Sequence, residues 1–174
     1  MNKAHLLAAI LILFFFFGCT SQPTPQEDKE AFKPFNELYY MYLNNGTERM
    51  ESGNYEEAMS HFTRARLVLA DAYDQLKAGC KAEVYSNEFC EGEKIDLLNC
   101  KMEVVNFFEN SAKLLEFSNP GNNCILTVDT LRAANIKCTS AHQKYGSVLD
   151  EWKNITAPEK VRLMCNISDN QNST

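Results

Sequence analysis

The sequence predicts an all-α domain, an up-and-down helical bundle of about four helices braced by disulfides. Three observations lead there. Apolar residues recur in steps of three and four over long stretches, which is helical spacing. No stretch alternates with a period of two over a useful length, so strands are not required. Beyond Cys19 the chain has six cysteines, an even number of the kind that forms a disulfide framework in an exported chain.

The first helix is marked by Phe35, Leu38, Tyr39, Tyr42, Gly46 and Met50, with Pro34 in its first turn, where proline is tolerated. Asn45-Gly46 is a turn signal able to break it. The second is the most regular. Tyr55, Ala58, Phe62, Ala65, Leu69, Ala72 and Leu76 form one stripe, Gly53 makes the preceding turn, Asn54 is placed to cap, and Glu56-Glu57 sit at the positive end of the helix dipole. The third carries two stripes, Ile95, Leu98, Met102, Val105, Phe108, Ala112 and Leu115 beside Leu97, Val104, Phe107 and Leu114. A helix apolar on two sides belongs in the middle of the domain. The fourth runs through Leu131, Ala134, Cys138, Ala141, Tyr145, Val148 and Trp152, with Thr127 or Asp129 available to cap it. Breaker-rich links at about 85–92 and 118–123 are short, which implies antiparallel neighbours.

Cys80, Cys90, Cys100, Cys124, Cys138 and Cys165 permit 15 pairings. In an antiparallel hairpin Cys80 lies within reach of Cys90 or Cys100, and a tail folded back after Pro158 would bring Cys165 to Cys138. No pair has C-x2-C or C-x4-C spacing and only His61 and His142 follow the leader, so no metal and no cofactor is expected.

The N-terminus reads as an export signal: Lys3, an apolar run from Leu6 to Phe17, then Gly18-Cys19. The run is shorter than the roughly 20 residues that a spanning helix needs. Phe14 to Phe17 followed by Gly18-Cys19 resembles the lipobox of prokaryotic lipoproteins, possessing the small residue before a cysteine that is acylated and becomes the new N-terminus. The resemblance implies lipidation at Cys19 and a place on the cell membrane, facing away from the cytoplasm. Conventional cleavage after Ser21, giving a secreted protein, is the alternative. The domain plan is then a signal peptide at 1–18, the lipidated cysteine with a flexible tether at 19–33, a helical domain at 34–153 and a polar tail at 154–174. Residues 20–33 are too polar to build a core.

The formal charge is −6, and −7 once the leader with Lys3 is removed. With no basic run, nucleic acid is not an expected partner. Four N-x-S/T sequons, at Asn45, Asn154, Asn166 and Asn172, are candidate glycosylation sites. Such sequons beside a lipobox would suit an archaeal surface protein.

Gly53-Asn54-Tyr55-Glu56-Glu57-Ala58-Met59, followed by Phe62 and Ala65, resembles the second half of a tetratricopeptide repeat. Tyr42 and Gly46 occupy positions where that family prefers an aromatic and a small residue. The resemblance spans about residues 39–68, in a single copy, and implies a helical hairpin that binds a protein segment. No nucleophile, acid–base pair or phosphate loop is recognisable, so the expectation is a non-enzymatic interaction module for a cell-envelope protein, with Tyr39, Tyr40 and Tyr42 as candidate contacts. The alternative is a structural or small-ligand-binding helical protein.

Overall fold

The computed structural model describes residues 25–90, 93–117, 120–145 and 157–167. Over these the chain is helical: α1 (Pro25–Glu51), α2 (Tyr55–Lys81), the single turn α3 (Asn87–Cys90), α4 (Glu93–Phe117), α5 (Pro120–Tyr145) and the short α6 (Glu159–Cys165). No strand occurs among the described residues. The principal helix contacts are α1 with α2, α2 with α4 and α4 with α5, so each long helix packs on its neighbours along the chain.

The reason lies in α2 and α4. Ala58, Ala65 and Ala72 alternate along α2 with Phe62, Leu69 and Leu76, and all six are fully buried. Small residues every seventh position let the neighbouring helices approach; the large ones between them fill the space. α4 has two apolar faces, as its double stripe predicts. Val105 and Ala112 join Tyr39, Leu43, Met50 and the α2 residues Ala58, Phe62, Ala65 and Leu69 in one cluster, while Cys100, Val104, Phe107 and Leu114 join Leu131, Ala134 and Cys138 in another. Phe108 and Leu115 touch both.

The α1–α2 turn follows from its glycine. Gly53 has φ +83°, a conformation that L side chains seldom adopt. Asn54 occupies the N-cap position, but its side chain makes no cap hydrogen bond; only its carbonyl enters the helix, accepting from the Ala58 N–H at 3.0 Å. Inside α1, Gly46 does not break the helix. A β-carbon there would overlap the Phe62 ring, so the glycine serves close packing. α2 and α4 are also joined by Glu109, which accepts from Arg66 at 3.4 Å and Lys113 at 2.8 Å.

Both ends of the domain extend beyond the sequence reading. α1 begins at Pro25, so Pro34 lies inside it instead of in its first turn, and residues 25–33, expected to be tether, are helical. The cause is Phe32, which is buried with Ala72, Leu76 and Phe89. Leu38, placed on the α1 seam by its spacing, is 42% exposed, and Leu43 takes the buried position. The start of α5 likewise lies upstream: Thr127 does not cap it but sits within it, donating its hydroxyl to the Asn123 carbonyl at 2.7 Å. At the other end, Ala157, Val161 and Ile167 are buried, so part of the expected polar tail belongs to the core. Val148 and Trp152 lie outside the described residues.

The disulfides are Cys80–Cys90, Cys100–Cys138 and Cys124–Cys165, with Cα separations of 5.7, 4.8 and 5.3 Å. Cys165 therefore meets Cys124 and not Cys138. The fold-back of the tail is as expected, but α6 comes alongside the beginning of α5, and Cys138, buried in the α5 seam, is taken by Cys100.

Two outcomes test this packing. Gly46→Val must displace a ring that is fully enclosed and stacked on Phe108, and should lower unfolding stability by about 1–3 kcal/mol in a denaturant titration. Replacing Cys100 and Cys138 together by alanine opens a crosslink with a sequence separation of 38, against 10 for Cys80 and Cys90. Loop-closure entropy then gives losses of roughly 4 and 2.7 kcal/mol respectively. The reverse order would show that the crosslinks act through something other than the unfolded chain.

Candidate ligand groove

α1 and α4 both lie on α2, yet they share few contacts with each other, and a groove marked by two separate cavities lies along the line between them. On α1 its wall includes Lys33, Glu37, Tyr40, Thr47 and Glu51, a single helical stripe. At 1.5 Å per residue that stripe is about 27 Å long. Leu97, Lys101, Phe108 and Leu115 supply the α4 side. The groove deepens into two cavities. One, of about 560 Å³, lies towards the start of α1, where Phe32 and Phe89 help to close it. The other, of about 650 Å³, lies towards its end, against Tyr55, Pro158, Glu159 and Lys160.

Lys101 ties the two walls together. It is only 5% exposed although it carries an ammonium group, and its Nζ donates to Asn36 Oδ1 across the groove at 2.8 Å. The same nitrogen lies 4.7 Å from the centre of the Tyr39 ring and 4.6 Å from that of Tyr40. Burying an ammonium is costly unless its charge is met, and electron-rich ring faces and an amide oxygen are among the groups that meet it.

The three tyrosines singled out in the sequence therefore separate. Tyr39 is 1% exposed and belongs to the core, so it offers no surface to a partner; its ring is covered by the helices that its neighbours hold in place. Tyr40 is half-buried and lines the groove. Tyr42, also half-buried, faces the α2 side, with its ring centre 6.2 Å from that of His61 and the Arg64 guanidinium 5.9 Å away. His61 is likewise half-buried and its Nδ1 is enclosed without a hydrogen-bond partner, whereas His142 is exposed.

Of the other candidate positions, Asn45 is half-buried within α1, and Asn166 is exposed at the end of α6 in the left-handed conformation, φ 52° and ψ 42°. Cys19, Asn154 and Asn172 lie outside the described residues. Among the described residues no group of three or more His, Cys, Asp or Glu side chains is arranged to hold a metal ion, and no helix is long and apolar enough to cross a membrane.

The groove was not visible in the sequence. Lys101 interrupts the second apolar stripe of α4 between Leu97 and Val104, and that interruption is the one local sign of it. No protein family, no characterised protein and no solved structure matches this chain. Any functional reading therefore rests on the residues and their geometry.

Proposed function

We propose that this chain is an exported, membrane-tethered helical module without catalytic function, and that it holds a segment of a cell-envelope protein in the groove between α1 and α4. The pair of cavities carries the reading: they lie along about 27 Å of α1, at the helical rise, with side chains from two helices and Lys101 reaching Asn36 between them. An extended segment of about eight residues would match that length.

The tetratricopeptide-like hairpin supports it. Gly46, Ala58 and Ala65 stand at the close approach of α1 and α2, and Phe62 fills between them, the roles that the resemblance implies. The three disulfides support export, because such crosslinks persist in oxidising compartments. Attachment through Cys19 comes from the lipobox-like leader. Helix beginning at Pro25 would leave a connector of only a few residues after Cys19, placing the groove close to the membrane. A second reading, a secreted binder of small ligands, is favoured by one observation, the apolar cavity at the Phe32–Phe89 end of the groove.

Intact mass measurement on the native protein separates anchor from secretion. The anchored form begins at Cys19 with the added mass of its acyl groups; a protein beginning at Gln22 would overturn the anchor. The same spectrum reports glycans. A modified Asn166 and an unmodified Asn45 are expected, since the second is held within a helix that packs on α2.

A photoreactive residue at Thr47, in the groove, should crosslink to one discrete envelope protein in intact cells, and at Leu67 or Ile136, exposed elsewhere, should not. Equal labelling from all three positions would sink the groove as the docking surface.

A further inference from the structure

We propose that the cavity at the far end of the groove takes a lysine or arginine side chain of the bound segment, its hydrocarbon stem against Tyr55, Phe108 and Pro158 and its cationic head beside Glu51 and Glu159. The inference rests on the partner-binding reading for the source of that side chain, and it names the chemistry by which this end of the groove selects it.

The cavity forms where the end of α1, the beginnings of α2 and α6 and one face of α4 come together. Its volume of about 650 Å³ falls within the range of roughly 300–1,000 Å³ typical of small-molecule sites, which leaves room for a long side chain and the backbone that carries it. Much of the lining is apolar: Met50 is buried, and Tyr55, Phe108, Leu115 and Pro158 are half-buried around it. Phe108 is itself held by stacking on the enclosed Phe62, with ring centres 5.6 Å apart. A lysine or arginine suits such a surface, because it can bury its methylene stem on apolar atoms and keep its head in water. Aromatic rings also attract a cation placed over them.

The charges select the sign of the head. Three charged side chains line the cavity, all exposed: Glu51 and Glu159 are negative and Lys160 is positive. The two carboxylates come from different helices, α1 and α6, and among the described residues neither forms an ion pair. Their neighbours do, Glu57 with Arg49 at 3.4 Å and Glu109 with Arg66 and Lys113. Lys160 donates instead to the Tyr55 hydroxyl at 3.3 Å. A cation entering the cavity therefore meets two carboxylates that the chain does not neutralise, and the net charge of −6 attracts it from further away. Water screens exposed carboxylates, so the two together should favour a cation by about fivefold, a modest factor that depends on salt.

The test has two arms. In the first, the exported chain with its disulfides intact is titrated by NMR with three probes of one frame: phenylbutylammonium, phenylbutanol and phenylbutyrate. At low salt the ammonium should bind about fivefold more tightly than the alcohol, and the carboxylate more weakly than either. The gap between ammonium and alcohol should close as sodium chloride approaches about 1 M, where the Debye length is about 3 Å. Glu51→Gln combined with Glu159→Gln, both at exposed positions, should abolish the gap and leave phenylbutanol unchanged. Thr47→Trp, which narrows the cavity from a half-buried position, should weaken all three probes, with Ile136→Trp on an exposed face of α5 as the unaffected control. Phenylbutyrate binding as tightly as phenylbutylammonium, or ammonium affinity unchanged in the double glutamine variant, would overturn the proposal. The second arm repeats the photo-crosslinking from Thr47 in cells that carry the double glutamine variant, where the yield should fall about fivefold. An undiminished crosslink overturns this inference and leaves the partner-binding reading standing, whereas no crosslink from the unaltered carboxylates removes the bound segment, and both readings fall.

Discussion

The constraint on which the structure depends is that α4 is apolar on two faces. A helix with one buried stripe can lie on a surface, but one with two must be covered from both sides or leave hydrophobic area in water. Each fully buried Val, Leu or Phe contributes about 1.5–3 kcal/mol relative to exposure. The hairpin of α1 and α2 covers one face, through Val105 and Ala112; α5 and α6 cover the other, through Val104, Phe107 and Leu114. The second cover holds Leu131 of α5 with Val161 and Ile167 at the tail, and Cys100–Cys138 and Cys124–Cys165 pin α4, α5 and α6 together on that side.

The groove is a second consequence of the same arrangement. α2 presents alanine every seventh residue, so α1 and α4 both approach it closely. Two helices drawn onto a third need few direct contacts with each other, and cavities open between them at either end, with Lys101 reaching Asn36 beside one of them.

The parts of this fold that were legible in the sequence are those governed by local periodicity. The α2 stripe from Ala58 to Leu76 is buried residue for residue, and the two faces of α4 fall into separate clusters as their spacing implies. What escaped was decided by tertiary contact. Phe32 stands in a polar stretch, and Ala72 and Leu76 of α2, with Phe89 beside the Cys80–Cys90 crosslink, bury it where the helix runs back to Pro25. Val161 and Ile167 looked like isolated apolar residues in a polar tail until the Cys124–Cys165 crosslink set them on α5. Tyr39 was legible as an aromatic on the seam of α1, but a run of tyrosines does not say which of them faces inward. Gly46 read as a turn signal because its packing partner, Phe62, is sixteen residues away.

Lys101 joins the first hairpin to the central helix. It lies on an apolar stripe, between Leu97 and Val104, where leucine or methionine would bury more hydrocarbon and present no charge. Replacing a buried ionic group by an apolar one of similar size is often neutral or stabilising, so the fold by itself does not call for an ammonium at this position. The surroundings nevertheless accommodate one closely, with an amide oxygen at 2.8 Å and two aromatic faces within 5 Å. These residues come from α1, and the charge from α4, so the site exists only once the hairpin has docked on the central helix.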